Sequence, residues 1–416
     1  MGLIDPDRLR VSFEEYSSIG ATDRDGLHRL ALSEADGRVR DRFVDDLQEL
    51  GLSVRIDELG NVFGRRPGTE DLAPVLIGSH LDSQPKGGRY DGQLGVLSAL
   101  ETLRILEDEG IETARPIEIV NWTNEEGARF KPALTGSGTY VGTHDLDTVL
   151  AETDDEGTTV AEALEEIGYR GTDPVGPDEV PNAALELHIE QGPRLEEAGH
   201  TIGVVEGVLG MAWLEATIRG NADHAGPSPM HTRSDALVAA ADVVTAVRRM
   251  AGRLDDDVVT TVGELSVEPD SVNVIPAETT FTVDVRSYDD EVVLDAVDRV
   301  DDELRAACDR EGTEYDLTEL WRIPHTEFAP SVADAIEAAA DGSDHPSMRM
   351  ISGAGHDASY LAELTDAAMI FVPSVDGQTH NEREFTEWND VVAGAEVFAR
   401  TTRRLASADG ADGGNP

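Results

Sequence analysis

The 416-residue sequence predicts an α/β protein with a second unit inserted into it. Two observations lead there. Short apolar runs alternate with helical periodicity through much of the chain, which is how a sheet flanked by helices reads in sequence. Between about Gly210 and Pro330 the rhythm changes to β-α-β-β-α-β, the order of a ferredoxin-like unit, and afterwards the first pattern resumes.

The first 70 or so residues read as helical, with Val39, Phe43, Leu47 and Leu50 at helical spacing. PVLIGSH, residues 74–80, is a buried strand, residues 92–110 a helix, and PIEIVNW, residues 116–122, a second buried strand. In the inserted part LEATIRG is a strand and SDALVAAADVVTAVRRMAG a helix. VVTTVGELSV and TTFTVDVRSY are two strands, DEVVLDAVDRVDDELRAACDR a second helix, and EYDLTELWRI the last strand. After Pro330 come a helix from Ser331, the loop ISGAGHDA, another helix and the strand AAMIFVP. The expected units are therefore 1–209 with 326–406, an inserted 210–325, and a disordered tail over 407–416.

Charge excludes several partners. Thirty-three Lys and Arg against 84 Asp and Glu give −51, and the only lysines are Lys86 and Lys131. Nucleic acid is a poor partner, because affinity there comes from neutralising phosphates with cations; an anionic membrane surface is excluded on the same ground. No apolar run approaches the ~18 residues of a membrane span. The start, MGLIDPDRLR, has no secretory pattern, and Cys308 is the single cysteine, so no internal disulfide forms. A cytoplasmic protein is expected. The acids are spread along the chain rather than gathered in a tail, which fits a surface built for a salt-saturated cytoplasm, as in halophiles, better than an acidic binding face.

Four stretches bring His, Asp or Glu to the ends of apolar strands. In GSHLDSQPKGGRYDGQLGV a strand delivers His80 to its C-terminal end, where α/β sheets place their sites. Asp82 stands two residues on, placed to hydrogen-bond the imidazole and fix its tautomer, and the glycines let the loop return Asp91 toward His80. The plainer reading makes Asp91 a helix cap and His80 an ordinary strand end. In NWTNEEGARF, Glu125 and Glu126 follow a strand. In extended backbone their side chains would diverge, one free to bind a metal and the other to move protons; a solvated pair is the alternative. ALELHIEQGP puts Glu186, His188 and Glu190 on one strand face, where the histidine is either a ligand or a salt-bridged surface residue. VPSVDGQTHNE supplies His380. Together this is a donor set for a hydrolytic two-zinc site, since zinc takes imidazole nitrogen and carboxylate oxygen.

These motifs, with GNVFGRRPG, NADHAGPSPM, NVIPAE, VDVRS and SGAGHDA, resemble the hydantoinase/carbamoylase branch of the M20 dinuclear metallohydrolases. That branch includes N-carbamoyl-L-amino-acid hydrolases, allantoate amidohydrolases and β-ureidopropionases. The resemblance runs from about Arg8 to about Leu405. It implies a mixed-sheet domain with helices on both faces, and an inserted domain that serves as lid and homodimer contact. It implies two divalent ions per subunit, zinc before manganese or cobalt, one on His80 and His188, the other on Glu126 and His380, with Asp91 between them. Glu125 would be the general base. His224, Asn273 and Arg286 on the inserted unit, with Gln191 and Gly355, would contact a small ureido-acid substrate, His224 also steadying the oxyanion. His188 is diagnostic, because peptidase and deacetylase relatives usually carry an acid there. An aminoacylase or peptidase, and a non-catalytic relative, are the competing readings; the second predicts a missing ligand or base, and none is missing. Three motifs depart from the branch: HAGPSPM stands for the commoner HAGTTPM, Thr379 for Ser, and Lys86 lies in the glycine loop.

Overall fold

A computed structural model describes residues 3–255 and 258–407. The expected tail lies, from residue 408 on, outside the described residues. The chain divides into two compact units, one built from the chain up to Gly207 and from Glu327 onward, the other Val208–Thr326. Among the described residues no helix is long and apolar enough to cross a membrane.

The first unit is built on a mixed sheet. Its strands run in the order Ser53–Ile56, Val62–Arg66, Ile117–Trp122, Val75–His80, Ala183–Ile189, Asp366–Val372 and Ile202–Val208. Ile117–Trp122, Val75–His80, Ala183–Ile189 and Asp366–Val372 are mutually parallel neighbours. They are buried almost throughout, which is why they read as unbroken apolar runs rather than alternating ones. Helix Gln93–Asp108 has nearly every residue buried, and helices Trp388–Leu405 and Pro330–Asp341 also belong to this unit.

Two expectations need correction here. The helical reading of the first 70 residues holds for Pro6–Ser17 and Glu34–Glu49 but fails beyond them, where Ser53–Ile56 and Val62–Arg66 form an antiparallel hairpin. Its turn is organised by Asp57, whose carboxylate accepts the backbone N–H of Leu59 and of Asn61, an Asx arrangement that competes with helix. A strand, Ser347–Ser352, was also not expected ahead of the SGAGHDA loop; its Ser, Met and Arg content carries little strand signal.

The second unit is an antiparallel sheet. From one edge its order is Leu265–Glu268, Glu278–Ser287, Gly210–Arg219, Glu314–Ile323, with Val259–Thr261 also paired to Glu278–Ser287. The predicted strand VVTTVGELSV is thus two short pieces with Gly263 between them, a residue that weakens a strand interior. Glu278–Ser287 alternates strictly, burying Thr279, Phe281, Val283, Val285 and Ser287. Helix Ala236–Leu254 starts on an Asp235 cap and helix Asp290–Glu311 on an Asp289 cap. Each lays an apolar stripe on the core, Ala239, Val243 and Val247 from one and Ala296, Val300 and Leu304 from the other. Cys308 is buried in that core.

Candidate metal centre

The four parallel strands end in register, His80 opposite Trp122 and His188 opposite Phe371. Their following loops therefore open on one edge of the sheet, the crevice beyond the carboxyl ends of the strands. Two ligand groups form there and share one residue. His80, Asp91 and His188 are one; Asp91, Glu126 and His380 are the other; within each, the ligand atoms lie within 4.8 Å of one another. Asp91 Oδ1 lies 3.0 Å from His188 Nε2 and 3.4 Å from His80 Nε2. Asp91 Oδ2 lies 3.5 Å from His380 Nε2, which is also 3.5 Å from Glu126 Oε2.

The backbone sets these atoms. Gly92 has φ +63°, and any side chain there would strike the His80 ring, so only glycine lets the loop turn Asp91 inward before the helix begins. His80 Nδ1 lies 3.0 Å from the carbonyl of Asp82, and His188 Nδ1 lies 2.9 Å from that of Ile189. Each Nδ1–H donates to its carbonyl, which leaves Nε2 as the ring's acceptor; that of His188 takes the Gly92 backbone N–H at 3.1 Å. His80 Nε2 is buried with no hydrogen-bond partner among the described residues. An orphaned imidazole nitrogen beside a cage of carboxylates fits a divalent cation, and N/O donors suit Zn²⁺, Mn²⁺ or Co²⁺ alike.

The expected role of Asp82 changes in detail. Its carboxylate is 3.8 Å from His80 Nδ1, beyond hydrogen-bond range; its own carbonyl holds the ring instead. The carboxylate accepts the backbone N–H groups of Glu125 and Glu126 at 3.2 and 3.3 Å. Asp82 thus ties the His80 loop to the Glu125–Glu126 turn. That turn is not the extended pair expected: Asn124 and Gly127, with φ +54° and +59°, bracket it. The two side chains separate all the same. Glu126 accepts the Gln84 backbone N–H at 3.0 Å and its amide Nε2–H at 2.8 Å, while Glu125 Oε2 stands 3.5 Å from His80 Nε2. Of the three polar residues on ELHIE, only His188 enters a ligand group. Glu186 accepts from Ser79 and from the Ala358 N–H, and Glu190 accepts the N–H groups of Arg194 and Leu195.

Burial and crowding shape the electrostatics. Burial raises the Glu125 carboxyl well above its usual range, and Asp357, Glu126 and Asp91 add to that against the pull of His80. Glu126 is raised in the same way, by burial and then by Asp91. Asp91 goes the other way: burial opposes ionisation, but His188, His80 and His380 outweigh it and hold the carboxylate well below its usual range. Burial opposes protonation of His80, yet Glu125, Asp91 and Asp82 lift the imidazole above its normal value. A cation would invert this logic, as bound metals do.

Gln191, expected as a substrate contact, has φ +59° and donates through Nε2 to Asp91 Oδ2 at 2.8 Å; its Oε1 is buried and without a partner among the described residues. Gly355 lies half-buried in the loop between Ser347–Ser352 and helix Asp357–Leu361. Nearby, His356 packs its ring against His188 at 4.6 Å and is held neutral by burial and then by His188. Asp357 accepts the Ser137 hydroxyl at 2.5 Å. On the second unit His224 is exposed on the short strand Asp223–His224, paired with Val274–Ile275. Its Nδ1 accepts the Gly226 N–H, which places the ring proton on Nε2. Exposed Asn273 offers its carbonyl to the Ala225 N–H, and half-buried Arg286 is gripped by Asp284 at 2.8–3.1 Å. Sequence reasoning missed Gln84, Arg29 and Glu384. Arg29 is fully buried and donates to the carbonyls of Leu81, Tyr16 and Ile19. A charged residue in an apolar context was its only signal.

Fold and site together define an α/β metallohydrolase whose paired ligand groups share one carboxylate. Residues 76–404 match the family described as Peptidase family M20/M25/M40. The chain is 40% identical over 396 residues to an N-carbamoyl-L-amino-acid amidohydrolase of Rhizobium meliloti, covering 95% of each. It is 34% identical to an allantoate amidohydrolase of Escherichia coli, covering 96% of this chain and 98% of that one. A crystal structure of a hydantoinase/carbamoylase family amidase from Burkholderia multivorans superposes with a TM-score of 0.90 at 44% identity, covering 97% of this chain and 98% of the other. The chain belongs to the M20 family, in its hydantoinase/carbamoylase branch.

Proposed function

We propose that the protein hydrolyses the ureido C–N bond of an N-carbamoyl-L-amino acid or a related ureido acid such as allantoate or ureidopropionate. The observation that carries this reading is Asp91 shared by two ligand groups, with Glu125 left outside both and 3.5 Å from His80. Relatives named for carbamoyl-amino acids and for allantoate support the substrate class without ranking its members.

His80 and His188 would hold one divalent ion and Glu126 and His380 the other, with Asp91 reaching both. Ions bound there supply Lewis acidity, which lowers the pKa of water toward ~7. Glu125 takes a proton from the attacking water and returns it to the leaving nitrogen. Its burial suits that exchange, since a carboxyl raised above its usual range holds a proton more readily between the two transfers. His224, with its proton on Nε2, would steady the oxyanion, and Arg286 would pair with the substrate carboxylate. One water is consumed: the amine departs and the carbamic acid breaks down to CO₂ and ammonia.

Metal-loaded protein assayed on N-carbamoyl- and N-acyl-L-amino acids, allantoate and ureidopropionate tests this. Turnover of ureido acids alone is expected; preference for N-acyl substrates would favour an aminoacylase. Activity should vanish with a chelator and return with Zn²⁺, Mn²⁺ or Co²⁺. The net charge of −51 supports one further expectation, and the family resemblance another. The melting temperature should rise steeply from low to molar KCl as repulsion is screened; an indifferent protein would remove the halophilic reading. The Val208–Thr326 unit would form a homodimer, which sedimentation at high salt checks.

A further inference from the structure

Glu384 is a buried carboxylate, 5% exposed, that the proposed chemistry leaves without a role. Its Oε1 accepts the backbone N–H groups of Tyr90 at 2.9 Å and Asp91 at 3.1 Å. Its Oε2 faces the Thr379 hydroxyl at 3.1 Å. That hydroxyl also stands 3.3 Å from Asp91 Oδ2 and accepts from Gln191 Nε2 at 3.1 Å. A hydroxyl has one proton to donate, so Glu384 and Asp91 compete for it. Room for the carboxylate comes from Gly88, where any side chain would collide with it.

The contacts are one-sided. Asp91 Oδ1 faces His188 and His80, both buried, at 3.0 and 3.4 Å. Asp91 Oδ2 faces His380, whose side chain is 49% exposed and whose backbone sits at φ +54°. Glu384, Thr379 and Gln191 all act on the Oδ2 side or on the Asp91 backbone. Thr379 is also the residue next to His380, so the same carboxylate reaches Asp91 through its amide and the His380 loop through its hydroxyl.

We propose that Glu384 is a positioning residue that, through Thr379 and the Tyr90–Asp91 amides, aims Asp91 Oδ2 at the Glu126–His380 position and sets how tightly the second cation is held there. The proposal rests on the metal reading given above. Carboxylates that accept backbone N–H groups make strong, directional bonds, and partners that orient a ligand are typically worth about 10–100-fold in metal affinity. The threonine methyl adds stiffness, since a β-branched side chain has few rotamers.

Zn²⁺ binding to the whole protein, titrated against a chromophoric chelator, tests it without reference to activity. His380→Ala identifies the binding step that belongs to the exposed position. Glu384→Ala should keep the first Zn²⁺ and weaken the second by about 10–100-fold. Glu384→Gln, which retains an acceptor for the two amides, should restore most of that loss. Thr379→Val should weaken the second step less than Glu384→Ala does, and Thr379→Ser hardly at all. At saturating Zn²⁺, kcat of Glu384→Ala should return to within a few-fold of wild type. Equal weakening of both steps, or an unchanged second step, overturns the proposal. Wild-type protein that binds no Zn²⁺ overturns the metal reading and this proposal together. Should Glu384→Ala fail to fold, Thr379→Val decides: a second step as tight as in wild type overturns the proposal.

Discussion

His80, Asp91 and His188 are 0%, 6% and 1% exposed in the first unit. On the second unit His224 and Asn273 are exposed and Arg286 is half-buried. The first unit takes polar side chains into its interior and satisfies them one by one with carbonyls, amides and hydroxyls, as Asp82, Glu186 and Glu384 show. It also tolerates backbone strain beside the site, with Asn124, Gln191 and His380 at φ between +54° and +59°. The second unit has an apolar core of Leu, Val, Ala and Phe and keeps its candidate substrate residues at the surface. Strain and buried charge are kept where geometry must be fixed before substrate arrives. Substitutions in the first unit should therefore act through metal and chemistry, and those in the second through recognition and transition-state contacts without loss of stability.

Glu125→Gln should show the largest effect on rate. It removes the group proposed to move the proton and leaves every candidate ligand in place, so kcat should fall by about 10²–10⁴-fold with metal content unchanged. Retained turnover would mean that the unligated carboxylate beside His80 is a bystander. His224→Ala is the counterpart from the second unit. Loss of an oxyanion donor is expected to lower kcat by about 10²–10³-fold. The Gly226 N–H it leaves behind is exposed to water, so the melting temperature should not move. A drop in stability equal to that of a core substitution would break the contrast between the units.

The first unit's habit of burying acids has a cost that pH can expose. Burial pushes the Asp57 carboxyl up from 3.8 to about 6, against hydrogen bonds from Asn61 and Leu59. A folded-state value above the unfolded one favours the folded state at low pH, an advantage fully present below about pH 4 and lost as pH rises through about 6. Asp57→Asn removes that dependence. Its stability relative to wild type should climb between pH 4 and 7 by up to ~3 kcal/mol, read by denaturant unfolding at each pH. A flat difference would show that Asp57 stays ionised throughout.

The parallel strands and the candidate ligands at their ends were legible because both obey short-range rules. Buried strands are apolar runs, and His, Asp and Glu stand out where such runs stop. The supporting residues obey neither rule. Glu384 reaches Asp91 from far along the chain, and Gln84 grips Glu126 with a backbone amide as much as with its side chain. Thr and Gln are not ligand types, and a backbone donor leaves no trace in sequence. The hairpin Ser53–Arg66 was misread because its apolar residues continue a helix-like spacing, while Asp57 and Asn61 fold it back through local hydrogen bonds. Asp82 does meet His80, but through its carbonyl rather than its carboxylate, because the two groups of one residue cannot be told apart by spacing.

The smallest effect should come from Arg286→Lys. Asp284 holds the guanidinium through Nε and Nη2, which fixes its plane for a second, bidentate partner. Lysine keeps the charge but offers a point donor on a flexible stem. For ureido acids kcat/KM should fall by about 10-fold, equivalent to ~1.4 kcal/mol, with kcat little changed. An N-carbamoyl amino-acid amide, which lacks the carboxylate, should be hydrolysed equally by both proteins. Equal losses on acid and amide would leave Arg286 without a part in carboxylate recognition, and recognition on the second unit would then fall to His224 and Asn273.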